Sequence, residues 1–166
     1  MTSPPDDYFS WWSYEPLVAP KVEAVDPEDI VPTTGPRQTD VWLTEWQVVD
    51  DGIDVAVGEQ VDWNLVAMDQ QWAARLFGGR RRISLELDTY ADATLDVNNP
   101  VLWNAVSGRI IRIDQVSVRY HPSEDPADHG SRVPETGGAM QHSVPSLWKR
   151  RAHHGELVGW IVRIQG

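Results

Sequence analysis

The segment VSGRIIRIDQVSVRYH, residues 106–121, carries the strongest β signal in the chain. The β-branched and aromatic residues that recur along it are Ile111, Ile113, Val116, Val118 and Tyr120. Residues of these types favour strands, and the run is long enough to require bending. Its alternation changes parity at Asp114-Gln115, where we expect a β-bulge. The segment therefore predicts a long bent strand in a mainly β domain.

Further strands are predicted on both sides of this segment. Alternating apolar residues indicate strands at 40–49, on either side of Gly58-Glu59 between Val55 and Leu65, at roughly 81–90 and from Glu156 to Ile164. Turns and loops are predicted between them at Asp51-Gly52, Gly58-Glu59 and Asn98-Asn99-Pro100.

One short helix is predicted near 69–77. Asp69 is suited to cap its N-terminus, and Gly78-Gly79 can end it in the left-handed conformation that glycine tolerates. From Pro122 to Val144 the prolines, glycines and charges show no periodicity, which predicts a long surface loop. Five or six strands with one short helix favour a small barrel of SH3-like or OB-like type, and a β-sandwich remains open.

The N-terminal segment 1–38 differs from the rest of the chain in composition. It contains Pro4, Pro5, Pro16, Pro20, Pro27, Pro32 and Pro36. This density disfavours helices and central strands, so we expect an extended acidic tail in front of a domain at 39–166. The aromatic residues clustered in the tail are Tyr8, Phe9, Trp11, Trp12 and Tyr14. We expect this cluster to dock on its own domain, on another copy of the chain or on a protein partner.

The charge of the chain limits its partners. A formal net charge of -11 argues against non-specific binding to a phosphate backbone, which requires clustered cations. Two basic clusters are nevertheless present, namely Arg80, Arg81 and Arg82, and Lys149, Arg150 and Arg151. The simpler interpretation is that they are solvated flanks of a helix end and a strand end. The functional interpretation is that they bind an anion or a nucleic acid.

No catalytic motif is recognisable. The absence of cysteine excludes disulfides, thiolate metal sites and cysteine nucleophiles. No serine stands in a Gly-x-Ser-x-Gly elbow, and Gly78-Gly79 lacks the pattern of a phosphate loop. Glu86 and Asp88 are predicted to lie on the solvated face of their strand, which disfavours a pair of acid–base carboxylates. We therefore predict no catalytic residues, no bound metal and no cofactor.

Histidines and tryptophans are the remaining candidates. His121, Asp125, Asp128 and His129 lie close together in the predicted loop, but their spacing matches no metal motif. A small-ligand or enzyme site, if present, is expected in the 121–142 loop, with His142 at its end. Since the chain has 9 tryptophans and 2 phenylalanines, we expect Trp42 or Trp46, Trp63 and Trp160 to fill the core.

Short tryptophan and glycine motifs stand near both ends of the domain. They are Val41-Trp42, Trp46-Gln47, Val57-Gly58-Glu59-Gln60-Val61-Asp62-Trp63 and Gly159-Trp160-Ile161-Val162. Over roughly residues 40–164 the chain resembles a family of small uncharacterised actinobacterial proteins that carry a domain of unknown function. The resemblance implies no activity.

The sequence does not assign a function, and three hypotheses follow from it. The favoured one is a non-catalytic protein-interaction module that uses the aromatic tail and the barrel surface. The alternatives are a nucleic-acid-binding small barrel that uses the two basic clusters, and a small-ligand binder or enzyme that uses the 121–142 loop. Since the N-terminus lacks a basic region followed by an apolar run and no membrane-length apolar stretch occurs, we expect a cytoplasmic protein.

Overall fold

A computed structural model describes residues 31–90, 102–128 and 130–166. In these ranges the elements are β1 (Gln38–Thr44), α1 (Glu45–Asp51), β2 (Gln60–Ala67), α2 (Gln70–Phe77), β3 (Leu85–Glu86), β4 (Asn104–Val118), β5 (Tyr120–Pro122), β6 (Arg132–Pro134), β7 (Met140–Val144) and β8 (Glu156–Gln165). The prediction of a mainly β fold is confirmed. The tail aromatics, the Asn98-Asn99-Pro100 loop and His129 lie outside the described residues.

Six strands form one sheet in the order β2-β3-β1-β8-β4-β7. β2 also pairs with β4, so the ladders connect β2, β3, β1, β8 and β4 and return to β2. The β1–β3 ladder is parallel, and the other four ladders of this circuit are antiparallel. β5 and β6 form a separate two-stranded sheet. The last described strand, β8, therefore lies between β1 and β4.

β4 is the long bent strand that the sequence predicts. Its N-terminal part pairs with β2, and from Arg109 onward it also pairs with β8. Its register against β8 shifts between Ile110 and Arg112 and again between Val116 and Ser117. The bulge expected at Asp114-Gln115 is therefore wrongly placed. The parity changes there because apolar clusters on both faces of the sheet bury this part of β4.

Two apolar clusters lie on opposite faces of β1 and β8. One contains Val41, Leu43, Trp160, Val162 and Ile164, and the other contains Trp42 and Ile161. Successive side chains of a strand point to opposite faces, so both faces of these strands are covered by apolar residues. Burial of Trp42 and Trp160 confirms two of the expected core tryptophans, whereas Trp63 is half-buried and Trp46 is 55% exposed.

α1 occupies the second half of the segment predicted as a strand at 40–49, so the prediction is wrong for residues 45–49. Gly52 ends the helix in the left-handed conformation with φ 64° and ψ 35°, and its N–H donates to the carbonyl of Val48. Asp51-Gly52 is thus a helix end instead of a hairpin turn. Val48 is the buried residue of α1, and its side chain packs in the hydrophobic core.

α2 confirms the predicted helix near 69–77. The Asp69 carboxylate accepts hydrogen bonds from the backbone N–H groups of Gln71 and Trp72, and Gly78 ends the helix with φ 57°. Ala73, Leu76 and Phe77 are buried in the cluster that contains Trp42. Burial of a Leu or Phe side chain contributes about 1.5–3 kcal/mol, so α2 is held by its apolar face.

Two other predictions are corrected. The strand expected at 81–90 is limited to Leu85–Glu86, and Glu86 is half-buried because it lies on β3 opposite Trp42 and Val66. The segment 122–144, predicted as a loop, contains β6, β7, the end of β5 and a single 3-10 turn at Pro126–Asp128. These strands are three to five residues long, which is too short for a periodic pattern to show.

Candidate functional site

The aromatic cleft is a cavity of about 390 Å³ beside the β1–α1 junction, α2 and the start of β8. Three aromatic and two acidic side chains define it here: Trp46, Trp72, Tyr120, Glu45 and Glu156. Thr44, Leu157 and Val158 complete the lining. The cleft thus combines apolar ring surface with negative charge.

Trp46 lines the aromatic cleft, and its ring stacks on that of Tyr90. Its indole lies against Tyr90, with ring centroids 5.5 Å apart and an interplanar angle of 27°. The Tyr90 hydroxyl donates a hydrogen bond to the carboxylate of Asp50 on α1. This hydrogen bond, together with the nearby negative charge, raises the pKa of Tyr90 to about 12. Tyr90, which is hydrogen-bonded to Asp50, therefore orients the Trp46 ring from one side. More than half of the Trp46 side chain stays exposed.

The other walls of the aromatic cleft come from separate elements. Trp72 lies in the first turn of α2, Tyr120 begins β5, and Glu156 begins β8. Burial, followed by the charge of Glu156, raises the pKa of Tyr120. The charge of Glu156 therefore acts on the Tyr120 hydroxyl, with Arg132 opposing it.

Both carboxylates of the aromatic cleft have arginine neighbours on the surface. Glu156 lies 3.5 Å from Arg132, and Glu45 lies 3.9 Å from Arg150. Exposed pairs of this kind contribute roughly 0–1 kcal/mol, so a cationic ligand can compete for the carboxylates.

The arginine cavity is a second recess, with a volume of about 310 Å³. It is defined here by Arg80, Arg81, Arg82, Arg163 and Asp40, and the segment 31–34 forms one wall. The Asp40 carboxylate accepts hydrogen bonds of 2.8 and 3.0 Å from Arg163 and one of 3.2 Å from Arg81. Burial raises the pKa of Asp40, but the hydrogen bonds and positive charge of the two arginines outweigh it and hold the pKa below its ordinary value.

The ion-pair network extends from the arginine cavity along the sheet. Arg81 also pairs with Asp114 at 2.9 Å and donates to the side chain of Gln141. Asp114 is fully buried and accepts a further hydrogen bond of 2.8 Å from Arg112. Three guanidinium groups thus share two carboxylates.

The first predicted basic cluster is divided by its contacts. Arg80 donates to the backbone carbonyls of Phe77, Gly137 and Ala139, Arg81 is buried in the ion-pair network, and Arg82 is exposed. The expectation that these arginines are solvated flanks is therefore wrong for Arg81. Whether the cluster binds an anion or a nucleic acid stays a prediction.

The second basic cluster lies on the connection before β8. Lys149 and Arg150 are exposed, and the Arg150 guanidinium lies 5.9 Å from the ring centroid of Trp160. The backbone N–H of Arg151 donates to the side chain of Gln115 on β4. The interpretation of this cluster as an anion or nucleic-acid site also stays a prediction.

The family of the chain follows from comparison with known proteins. Residues 37–166 match the model of a family of unknown function, DUF6578. The chain belongs to this family. No curated protein and no solved structure matches the DUF6578 chain. The membership confirms the resemblance to a domain of unknown function, while the actinobacterial origin stays a prediction.

The 121–142 segment of the DUF6578 domain contains a third recess, of about 570 Å³. His121, Asp125 and Asp128 line it, whereas His142 lies on β7 in the other sheet, opposite Gln115. In the described ranges no three His, Asp or Glu side chains are grouped so that they could hold a metal ion. Across the same ranges no helix of the DUF6578 domain has the length and apolar character needed to cross a membrane.

Sequence reasoning missed most of the residues that form both sites of the DUF6578 domain. A signal for the ion-pair network was present, because Asp40 and Arg163 are charged residues next to the apolar runs of the first and last strands. A charge in such a position is generally paired when it is buried. No comparable signal joins Trp72, Tyr120 and Glu156, which are brought together by the fold alone.

Proposed function

We propose that the DUF6578 domain is a non-catalytic protein-interaction module in which the aromatic cleft receives a cationic side chain of the partner. The observation that carries this proposal is the exposed indole of Trp46, which lines one cleft with Trp72, Tyr120 and two carboxylates. Aromatic faces attract cations, and aromatic cages recognise quaternary ammonium groups in proteins. The carboxylates of Glu45 and Glu156, together with the aromatic rings, therefore suit the binding of a positively charged group.

The charge of the chain supports the same choice of partner. The formal net charge of -11 favours encounter with a basic surface and opposes encounter with a phosphate backbone. The nucleic-acid hypothesis is the weaker one because Arg80, Arg81 and Arg82 line a recess of about 310 Å³, whereas a nucleic-acid backbone requires an extended positively charged groove. A partner segment that presents lysine or arginine beside an apolar residue would complement the aromatic cleft.

We further infer that the circuit of ladders forms a small barrel of OB-like type with a permuted strand order. When β4 is taken as the first strand, the ladders run through β8, β1, β3 and β2 and return to β4. OB-like barrels bind ligands on the face of their second and third strands, which here correspond to β8 and β1. α2 packs against Trp42 and Ile161 on one face of these strands. The aromatic cleft lies beside that covered face.

The tail is proposed as a second contact with protein. Tyr8, Phe9, Trp11, Trp12 and Tyr14 supply aromatic side chains of the kind that dominate binding energy at interfaces. The proposed partner of these residues is another protein or a second copy of the chain. The cytoplasmic location stays a prediction from the sequence.

Titration with two small probes of similar shape tests the aromatic cleft. Tetramethylammonium carries a charge, and neopentyl alcohol is a neutral compound of similar size. Indole N–H resonances of the ¹⁵N-labelled protein report on each tryptophan separately, and the half-buried Trp63 of β2, which does not line the cleft, serves as the internal control. We expect tetramethylammonium to shift the Trp46 and Trp72 resonances and neopentyl alcohol to leave them nearly unchanged.

Variants then separate charge from aromatic surface. Glu156→Gln is expected to weaken tetramethylammonium binding severalfold, because one of the two cleft carboxylates loses its charge. Glu124→Gln changes an exposed carboxylate outside the cleft and is the matched control. An equal response to both probes, or no response of Trp46 and Trp72 to either, would rule out a cation site.

A further inference from the structure

We propose that the arginine cavity is a binding site for a single phosphate group, either inorganic phosphate or the phosphate of a small molecule. This site is separate from the aromatic cleft and does not depend on the function proposed for it. The residues that carry the inference are Arg80, Arg81, Arg82, Arg163 and Thr34.

The first argument is the charge balance of the cavity. Among its described lining residues, four are arginines and one, Asp40, is a carboxylate. This excess of three positive charges occurs in a chain whose formal net charge is -11. The hydrogen bonds of Arg80 go to uncharged backbone carbonyls, so they leave its positive charge uncompensated. An anion is the ligand that such a recess favours.

The second argument is an unsatisfied donor. The Arg81 side chain is 7% exposed, and two of its three nitrogens donate to Asp40, Asp114 and Gln141. Its third nitrogen, Nε, is buried and has no hydrogen-bond partner among the described residues. A buried donor without a partner is unfavourable, and an oxyanion oxygen is the acceptor that a guanidinium group prefers.

The third argument is the wall that closes the recess. The Arg163 guanidinium donates to the Pro32 carbonyl at 2.8 Å and to the Thr34 hydroxyl at 3.2 Å. The segment 31–34 is thereby fixed beside the arginines, and the Thr34 hydroxyl adds a polar group to the lining. A recess of about 310 Å³ suits one phosphate group with a small substituent, whereas a polynucleotide backbone requires an extended groove.

Arg82 is the residue to change first, because it is exposed and lines the cavity outside the buried ion-pair network. Arg82→Gln should therefore fold, and circular dichroism checks this. Arg109→Gln is the matched control, since Arg109 is an exposed arginine on β4 that does not line the cavity. Binding is measured by calorimetry with inorganic phosphate and with glycerol 3-phosphate, at an ionic strength held constant with sodium chloride.

We expect Arg109→Gln to bind each phosphate with the affinity of the unchanged protein, and Arg82→Gln to bind each about tenfold more weakly. A tenfold loss corresponds to about 1.4 kcal/mol, as expected for one charge-assisted hydrogen bond. Tighter binding of glycerol 3-phosphate than of inorganic phosphate identifies a phosphorylated small molecule as the source, and equal binding identifies free phosphate. Absence of phosphate binding, equal binding by Arg82→Gln, or binding of a single-stranded oligonucleotide in preference to both small phosphates would overturn the proposal.

Discussion

The indole of Trp42 lies where a side chain at position 159 would have to stand. A Cβ atom added to Gly159 would be 2.3 Å from the carbonyl oxygen of Leu43 and 2.5 Å from Cζ2 of Trp42. Gly159 pairs with Thr44 in the β1–β8 ladder, whereas Trp42 pairs with Ile161 two residues further along β8. The glycine of the Gly-Trp-Ile-Val motif is therefore required by packing.

Gly159→Ala should destabilise the domain. We expect a loss of about 2–3 kcal/mol in the free energy of unfolding, because the new methyl group must displace either backbone or a buried ring. Urea denaturation followed by fluorescence measures the loss. Gly35→Ala is the control, since its neighbours are the end atoms of the Gln38 side chain. An equal, small effect of both substitutions would contradict the packing role of Gly159.

Asp40→Asn should lower the free energy of unfolding by more than the loss of a surface ion pair would. The substitution leaves Arg163 and part of Arg81 buried without a countercharge, for which we expect a loss of about 3–5 kcal/mol at pH 7. Asp62→Asn is the control, because Asp62 is exposed and accepts a hydrogen bond from Ser107. The two variants are compared by chemical denaturation. A loss below 1 kcal/mol for Asp40→Asn would contradict the role given to the network.

The Asp40 carboxylate should also make the stability of the domain depend on pH. The pKa of Asp40 is lower in the folded protein than its ordinary value of 3.8, so its ionisation stabilises the fold above pH 3.8. That stabilisation is lost as the pH falls through the lower pKa of the folded state. We expect the unfolding free energy of the unchanged protein to drop in acid more steeply than that of Asp40→Asn. Parallel curves from pH 6 to pH 2 would show that Asp40 makes no such contribution.

The contribution of Glu86 to stability should change with pH in the opposite direction to that of Asp40. Burial, with the nearby charges of Asp88 and Asp69, raises its pKa from 4.5 to about 7. The stabilising contribution of its protonated form is complete below pH 4.5 and is lost as the pH rises through 7. We expect Glu86→Gln to be more stable than the unchanged protein at pH 8, by about 1–2 kcal/mol after allowance for solvent screening, and equally stable at pH 4. The measurement is urea denaturation across this range, and Glu124→Gln, on an exposed side chain, should show no such divergence.

The two tryptophans of β1 and α1 should differ in their effect on stability. Trp46→Ala removes a 55% exposed ring and should change the unfolding free energy by less than about 1 kcal/mol. Trp42→Ala opens a cavity beside Phe77 and should cost about 3–5 kcal/mol. Loss of tetramethylammonium binding in a stable Trp46→Ala variant would assign the ring to binding. An unfolded Trp46→Ala variant would assign it to the fold.

The tail is tested by light scattering on the full chain and on a chain that begins at Val31. The shorter chain keeps Pro32 and Thr34, to which Arg163 donates hydrogen bonds. We expect the full chain to self-associate and the shorter chain to be monomeric. A full chain with Trp11→Ala and Trp12→Ala should behave like the shorter one. If this variant keeps the oligomeric state of the full chain, the tail aromatics are not the contact.

The strands that the sequence predicts well are those with a long apolar pattern. β4 and β8 are 15 and 10 residues long, and their composition alone indicates strands. α1 was not predicted, because its seven residues continue the apolar alternation of β1 and the helix is decided by Gly52 and by contact of Val48 with the core. β5, β6 and β7 are defined by their partner strands, which no local pattern reveals.

Some residues of the two candidate sites were recognised from the sequence, but their burial or exposure was not. The basic cluster at 80–82 was recognised, but its division into one buried and one exposed arginine depends on where Asp40 and Asp114 lie in the folded sheet. Trp46 was noted as a tryptophan of the first strand, and its exposure follows from the start of α1 at Glu45. Contacts between residues distant in sequence therefore decide both sites.

The position of β8 sets an order for synthesis and folding. β8 pairs with β1 on one side and with β4 on the other, yet it is made after both. While residues 156–165 are still inside the ribosome, β1 and β4 expose strand edges that lack their common partner. The ladders of β8 with β1 and β4 therefore cannot form until residues 156–165 have left the ribosome.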